Sequence, residues 1–241
     1  MDLVYLVMFY FLAGAIITLV VATVTLVAFH LSTAALQNST STKAVVLIVS
    51  QGILSVATIG FLYTLVRSRT GAPFWPTVGW HEFHSMLSRT GASLGYVGSG
   101  FLLAFAVGWV SRYVGEESSL PMEQLFRSRA SVILLMALGI VVAPVVEETI
   151  FRGCIYPVIA RTFGVRTGII STGVLFGLAH AQQLWGGWAQ IALIMCVGIF
   201  LTYVRARAGT VAASYFVHLG YNSILFAGFY FATGGLRYFP S

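Results

Sequence analysis

Long runs of apolar residues without a single charge are the feature that most limits how this chain can fold. The first run extends from Leu3 to Phe29, and several runs of similar length follow it. A transmembrane helix needs about 20 consecutive apolar residues to cross a hydrocarbon core of about 30 Å. Because lipid offers no partner for backbone N–H and C=O groups, such runs fold as helices. The sequence therefore predicts an all-α, polytopic bundle of transmembrane helices.

The apolar runs divide the chain into seven predicted spans. They cover residues 3–29, 44–66, 91–110, 131–160, 167–181, 187–204 and 211–232. The fourth span is longer than one crossing requires, and Pro144 lies in its middle. Proline lacks a backbone donor and clashes with the preceding turn, so we expect it to kink the fourth span or to split it into two helices. The predicted count is therefore seven to eight spans.

The composition is that of a membrane protein and argues against nucleic-acid binding. Hydrophobic residues fill 58% of the 241 positions and charged residues only 8%, whereas soluble domains contain about 25% charged residues. The net charge of +6 fits the excess of basic residues that cytoplasmic loops carry. No basic cluster is interleaved with aromatic residues, so we predict no nucleic-acid partner. The compact, arginine-rich chain is typical of a multi-pass protein of a bacterial cytoplasmic membrane.

The chain has neither an internal repeat nor a linker that would separate domains, so we predict a single membrane domain over residues 1–241. Residues 1–130 supply N-terminal helices without motifs, and residues 131–232 form the helical core that carries the polar residues. A segment rich in Pro, Trp and His joins the second and third spans. Its residues Trp75 and Trp80 are predicted to be aromatic anchors at the membrane interface.

The fourth span contains three charged residues in otherwise apolar surroundings: Glu147, Glu148 and Arg152. Ionisable residues at membrane depth are costly and usually face the bundle interior or a wet cavity. Residues four apart share one face of a helix, so Glu148 and Arg152 can form an ion pair. We interpret that pair as structural support, which leaves Glu147 as the acid without a cation on its own helix face.

Two later spans carry polar residues at a similar depth. Glu147 and His180 each lie 14 residues from an arginine in the turn between the fourth and fifth spans, and His218 lies 13 residues after Arg205. At a rise of ~1.5 Å per residue these separations are about 21 Å and about 20 Å. Three helices therefore bring polar side chains to one level of the bundle, which predicts a common site.

The residue types at this level favour hydrolysis by an activated water. Glu147 can act as general base or acid, and His180 can share the water and its proton. His218 and Asn222, one turn apart on the last span, can donate hydrogen bonds to the oxyanion that forms when water attacks an amide carbonyl. Phe176, four residues before His180, is interpreted as a packing residue that shapes the cavity.

Three short motifs, in order along the chain, resemble those of one protein family. They are EETIFR, which fits Glu-Glu-x-x-x-Arg, FGLAH, which fits Phe-x-x-x-His, and HLGYN, which fits His-x-x-x-Asn. Together, from about Val141 to Leu225, they resemble the CPBP family of CAAX-processing, bacteriocin-processing and abortive-infection proteins. The resemblance implies an intramembrane glutamate-type endopeptidase without a cofactor, acting on a membrane-associated protein or peptide.

The resemblance also implies roles for individual residues. Glu147 would activate water together with His180, and His218 and Asn222 would form the oxyanion hole. The sequence leaves open whether the substrate is prenylated, and it leaves the oligomeric state open as well.

Three other interpretations remain open at this point. Four side chains have the chemistry of zinc ligands: Glu147, Glu148, His180 and His218. Their pattern is not the His-Glu-x-x-His of zinc proteases, and Arg152 beside the carboxylates disfavours a bound cation. The buried acids could instead relay protons in a coupled transporter, although the inverted repeats of such proteins are not seen. A non-catalytic scaffold or immunity protein could keep the fold without the chemistry.

Overall fold

The computed structural model describes residues 2–81, 90–114, 126 and 128–237, and the regular elements in these ranges are helices throughout. In chain order the α-helices are α1 (Asp2–Ala28), α2 (Thr33–Asn38), α3 (Thr40–Thr70), α4 (Phe74–Thr77), α5 (Thr90–Ser111), α6 (Arg129–Ala137), α7 (Ala143–Glu148), α8 (Tyr156–Phe163), α9 (Val165–Ala179), α10 (Trp188–Ala208) and α11 (Val211–Ala232). Two π-helical segments, π1 (Leu138–Val142) and π2 (Thr149–Ile155), lie between α6 and α8.

Five helices of the described part are long and apolar enough to cross a membrane. They are Val4–Ala28, Thr40–Thr70, Gly91–Ser111, Arg129–Phe163 and Trp188–Ala208. Helix α9 is apolar but has 15 residues, which extend about 22 Å and fall short of one crossing. The prediction of a helical, multi-pass membrane protein is confirmed, whereas the count of seven to eight spans stays a prediction.

The run from Arg129 to Phe163 is helical along its whole length, so the expected split at Pro144 does not occur. Instead the hydrogen-bonding pattern changes one residue before the proline. The five-residue segment π1 ends at Val142, and the N–H of Ala143 donates to the carbonyl of Leu138, five residues earlier. Such wider turns accommodate a local mismatch in the helical ladder without ending the helix.

The chain forms two compact units. The first contains Met1–Ala72, Glu123–Val146 and Thr233–Ser241, and the second contains Pro73–Met122 and Glu147–Ala232. In the first unit α1 packs on α3, where the rings of Phe9 and Phe61 stack with centroids 4.3 Å apart. All the candidate site residues belong to the second unit. The single membrane domain over residues 1–241 stays a prediction.

Glycines allow the helices of the second unit to pack at close range. Gly100 on α5 and Gly220 on α11 lie at backbone-to-backbone contacts, where an added Cβ would overlap the carbonyl of Val217 or of Val97. On α10, a Cβ at Gly198 would lie 2.7 Å from the carbonyl oxygen of Gly173 on α9. Small residues of this kind let membrane helices approach each other closely. They therefore fix how near α9, α10 and α11 can bring their polar side chains.

We expect Gly220→Ala to destabilise the protein by about 1–3 kcal/mol, because the new methyl group would push α5 away from α11. Gly228→Ala is the matched control on the same helix, since a Cβ there meets nothing within 4 Å. Alanine favours a helix over glycine by about 1 kcal/mol, so the control should be neutral or stabilising. Thermal unfolding in detergent distinguishes the two variants, and equal stability would contradict the close packing.

Candidate active site

Arg152 lies in π2 at the centre of the site, and its guanidinium is fully buried. Each of its nitrogens donates a hydrogen bond: Nη1 to Glu148 Oε1 at 2.9 Å, Nη2 to the carbonyl of Gly198 at 2.8 Å, and Nε to Thr202 Oγ1 at 3.2 Å. Burial of a charge is tolerated when it is paired and its donors are satisfied. Arg152 therefore joins the acidic segment to α10.

His218 on α11 lies between the two glutamates. Its Nδ1 is 3.0 Å from Glu148 Oε1, and its Nε2 is 3.7 Å from Glu147 Oε2. A carboxylate in an ion pair with arginine is a hydrogen-bond acceptor only, so the contact with Glu148 assigns the hydrogen to Nδ1 of His218. The distance of 3.7 Å is too long for a hydrogen bond. His218 thus has one fixed partner and directs its other nitrogen towards Glu147.

The two glutamates have different surroundings although they are neighbours in sequence. The side chain of Glu148 is fully buried, whereas that of Glu147 is 27% exposed. One oxygen of Glu148 accepts from both Arg152 and His218. The Glu147 carboxylate has only the longer approach of His218 within 4.0 Å among the ion pairs of the described residues. Glu147 is therefore the more available carboxylate for another reaction partner.

His180 follows the last residue of α9 and is half-buried. Its Nδ1 lies 2.8 Å from the carbonyl oxygen of Phe176. A carbonyl can only accept, so Nδ1 carries the proton and Nε2 of the neutral ring is the nitrogen that can accept one. In the described part of the chain no ion pair within 4.0 Å joins His180 to Glu147. These two predicted catalytic residues therefore do not form an ion pair with each other in the structure.

Phe176 packs against three of the polar side chains. Its ring centroid is 4.7 Å from that of His180 and 5.8 Å from that of His218, and Cζ of Arg152 lies 4.5 Å from it. An arginine over an aromatic face gains from the charge distribution of the ring. Asn222 lies one turn beyond His218 on α11 and is half-buried.

Several contacts of the site cannot be read from the sequence. Arg152 takes its acceptors from Gly198 and Thr202, which lie about 50 residues later and belong to an otherwise apolar helix. The indole N–H of Trp80 donates to Thr149 Oγ1 at 2.9 Å, and Trp80 is half-buried. The interfacial position predicted for Trp80 does not account for this hydrogen bond. The sequence does indicate that a buried arginine needs several hydrogen-bond acceptors, but it does not say which residues supply them.

The four side chains that have the chemistry of zinc ligands can be compared with the requirements of a zinc site. Within the described ranges, no three His, Cys, Asp or Glu side chains are grouped as a metal site. Glu148 and Nδ1 of His218 are bound to each other, and Arg152 donates to the same carboxylate. Both partners occupy Oε1, and a cation at the other carboxylate oxygen would be repelled by the neighbouring Arg152 guanidinium. The residues therefore do not fit a zinc ion at that position.

Two comparisons with known proteins find similar sequences. Residues 129–224 match the family model of Rce1-like type II CAAX prenyl endopeptidases. The chain is also 27% identical over 154 residues to CAAX prenyl protease 2 from Arabidopsis thaliana, an alignment that covers 54% of this chain and 50% of the plant protein. The chain thus spans about half the length of this curated relative. No solved structure matches the chain significantly.

The matched residues include π2, α9 and the first two-thirds of α11, and with them all three motifs. The Rce1-like family is not known to require a cofactor. The alignment with the plant protein does not depend on the three motifs alone, because it covers more than half of the chain. Residues 129–224 therefore carry the Rce1-like sequence pattern, and the resemblance of this membrane protein to the CPBP family is confirmed.

Proposed function

We propose that the chain is an intramembrane endopeptidase that hydrolyses a peptide bond of a membrane-associated protein or peptide. The observation that carries the proposal is the position of His218, which lies between the ion-paired Glu148 and the more exposed Glu147. Buried ionisable groups on several membrane helices mark functional sites, and here they are arranged around one point. The family match supplies the reaction class.

Glu147 is the proposed general base, which would make the enzyme a glutamate-type protease. Its neighbour Glu148 is engaged by Arg152 and His218, so Glu147 is the carboxylate that can accept a proton from water. His180 can hold the same water through Nε2, because its Nδ1 is committed to the carbonyl of Phe176. The proton taken by Glu147 would then pass to the leaving amine.

His218 is the proposed donor to the oxyanion, together with Asn222. The Nδ1–H of His218 is held by Glu148, and its Nε2 makes no hydrogen bond with Glu147 at 3.7 Å. A hydrogen on Nε2 would therefore be available to the oxygen that becomes negative in the transition state. Donors fixed before the reaction stabilise such an oxygen more effectively than water does.

The substrate class is proposed from the relative's name and from the composition of the chain, not from the geometry of the site. The plant relative is named for CAAX prenyl proteolysis, but the chain spans only half of it. The compact, arginine-rich sequence is the basis for proposing a bacterial cytoplasmic membrane as its location. Bacterial proteins generally lack prenyl groups, so we propose an unmodified membrane segment or leader peptide as the substrate. Within the CPBP family, we propose that the chain is related to the abortive-infection and bacteriocin-processing proteins.

Mapping of protein N-termini tests the proposal and identifies the substrate in the same experiment. Membranes from cells that express the chain are compared with membranes from the same cells without it. We expect new N-termini in membrane-associated proteins only where the chain is present. If no N-terminus depends on the chain, and vesicles containing the purified protein instead conduct protons, the transporter interpretation replaces the proposal.

A further inference from the structure

Residues 73–81, here called the strap, contact π2 at two points one turn apart. The indole N–H of Trp80 donates to the hydroxyl of Thr149, the first residue of π2. The carbonyl of Val78 lies against Gly153, where a Cβ would be only 2.7 Å from the carbonyl oxygen. Arg152 lies between these two points along the chain. π-helical turns are rare, occur mostly as bulges inside α-helices and are frequent at functional sites, and the strap contacts this one on both sides of Arg152.

The strap also contacts the beginning of α11. The carbonyl of Gly79 accepts from the N–H of Val211 at 2.8 Å and from the hydroxyl of Thr210 at 3.2 Å, and the same hydroxyl lies 2.6 Å from the carbonyl of His81. The ring of Trp80 packs on that of Tyr215, with centroids 5.4 Å apart. The first turn of α11 is therefore attached to the strap by hydrogen bonds and by an aromatic contact.

Through these contacts the strap connects π2, which follows Glu148, with α11, which carries His218. Glu148 directly precedes Thr149, and His218 follows Val211 by about two turns of α11. The contact of His218 Nδ1 with Glu148 Oε1 at 3.0 Å depends on the distance between these elements. We propose that Trp80 is a positioning residue that, through Thr149, fixes Glu148 relative to His218. This inference rests on the proposed function for its catalytic consequence.

Trp80 differs from the other apolar residues of the strap in the kind of contact that it makes. Phe74 and Val78 are buried and contribute packing, which has no direction. The indole of Trp80 adds a directional hydrogen bond to the hydroxyl of Thr149, and Thr149 is fully buried. Loss of a buried hydrogen bond alters the local geometry even when the fold survives. A change at Trp80 should therefore affect the rate of cleavage of bound substrate more than the binding of substrate.

The test compares Trp80→Phe with Trp75→Phe in the full-length protein in detergent. Phenylalanine keeps an aromatic ring but removes the indole donor, and Trp75 is the control because it is 45% exposed on the same strap. The probe is a fluorogenic peptide that spans a cleavage site found by the mapping above. We expect Trp80→Phe to lower kcat by about fivefold to tenfold with KM unchanged, and we expect Trp75→Phe to match the wild type.

A double-mutant cycle identifies the bond that is responsible. Thr149→Val removes the partner hydroxyl, so it should lower kcat to a similar degree, and the double variant Trp80→Phe/Thr149→Val should be no worse than either single one. Amide hydrogen exchange supplies a readout that needs no substrate. Exchange in residues 149–155 should be faster in Trp80→Phe than in Trp75→Phe.

The outcomes separate this inference from the proposed function. Unchanged kcat and unchanged exchange in Trp80→Phe would overturn the positioning role, provided that Glu147→Gln is inactive in the same assay. Additive losses in the cycle would also overturn it, because they would show that Trp80 and Thr149 act separately. If the wild-type protein does not cleave the peptide, the proposed function is wrong, and faster exchange in residues 149–155 of Trp80→Phe would still show that Trp80 holds π2.

Discussion

Glu147→Gln should lower kcat for peptide cleavage by about 10³-fold, since a general base contributes about 10²- to 10⁴-fold to such reactions. The amide keeps the shape of the side chain but accepts no proton from water. The measurement is single-turnover cleavage of the mapped peptide by purified protein. Because the Glu147 side chain is 27% exposed and has no close hydrogen bond with the ion-paired cluster, the apparent unfolding temperature should stay near that of the wild type.

Glu147→Asp is the control that separates charge from position. It retains the carboxylate but withdraws it by one methylene group, so it should cleave faster than Glu147→Gln and more slowly than the wild type. Activity of Glu147→Gln within tenfold of the wild type would assign the base to another residue. His180 would then be the next candidate, because its Nε2 is the nitrogen that can accept a proton.

The sequence predicts well those features that depend on local spacing. Apolar runs of about 20 residues predict membrane helices, and the helical, multi-pass fold is confirmed. Glu148 and Arg152 are four residues apart, and the structure joins them at 2.9 Å. The counts from flanking arginines place polar groups of the fourth, fifth and last spans at one level, and that common depth stays a prediction. These features follow from helix geometry alone.

The same geometry fails where the helix departs from the α form. The estimate of depth assumed a uniform rise, whereas π1 and π2 interrupt the run that contains Glu147 and Arg152. π turns are rare and occur as bulges within α-helices, and the apolar spacing used to predict the span gave no sign of these two segments. Pro144 predicted a kink or a split in this span; the split does not occur, and the hydrogen-bonding pattern changes just before the proline instead.

Contacts between residues far apart in the chain are the second feature that the sequence alone does not predict. His218 was paired with Asn222 by spacing, but the structure also joins it to Glu148, 70 residues earlier. Trp80 lies 69 residues before Thr149, to which it donates. Such partners are determined by how close the backbones approach, which glycines such as Gly198 and Gly220 control. A single sequence specifies the small residues but not which helices they bring together.

Glu148→Leu should destabilise the folded protein by about 3–5 kcal/mol, because it leaves the Arg152 guanidinium buried without its counter-charge. Both side chains are fully buried, so solvent cannot replace the lost partner. Thermal or denaturant unfolding in detergent measures the loss. Cleavage should disappear as well, since Nδ1 of His218 loses the carboxylate that accepts its proton.

The double variant Glu148→Leu/Arg152→Met distinguishes the structural from the chemical role of Glu148. A buried ion pair can be replaced by apolar residues of similar volume at little cost in stability, so the double variant should recover much of the stability lost in Glu148→Leu. It should not recover cleavage, because His218 still lacks its acceptor. A double variant that is both stable and active would mean that Glu148 serves only to neutralise Arg152. A double variant that is stable but inactive would mean that Glu148 contributes to cleavage by accepting the proton on Nδ1 of His218. The sequence analysis, which interprets Glu148 and Arg152 as a structural ion pair, does not include that role.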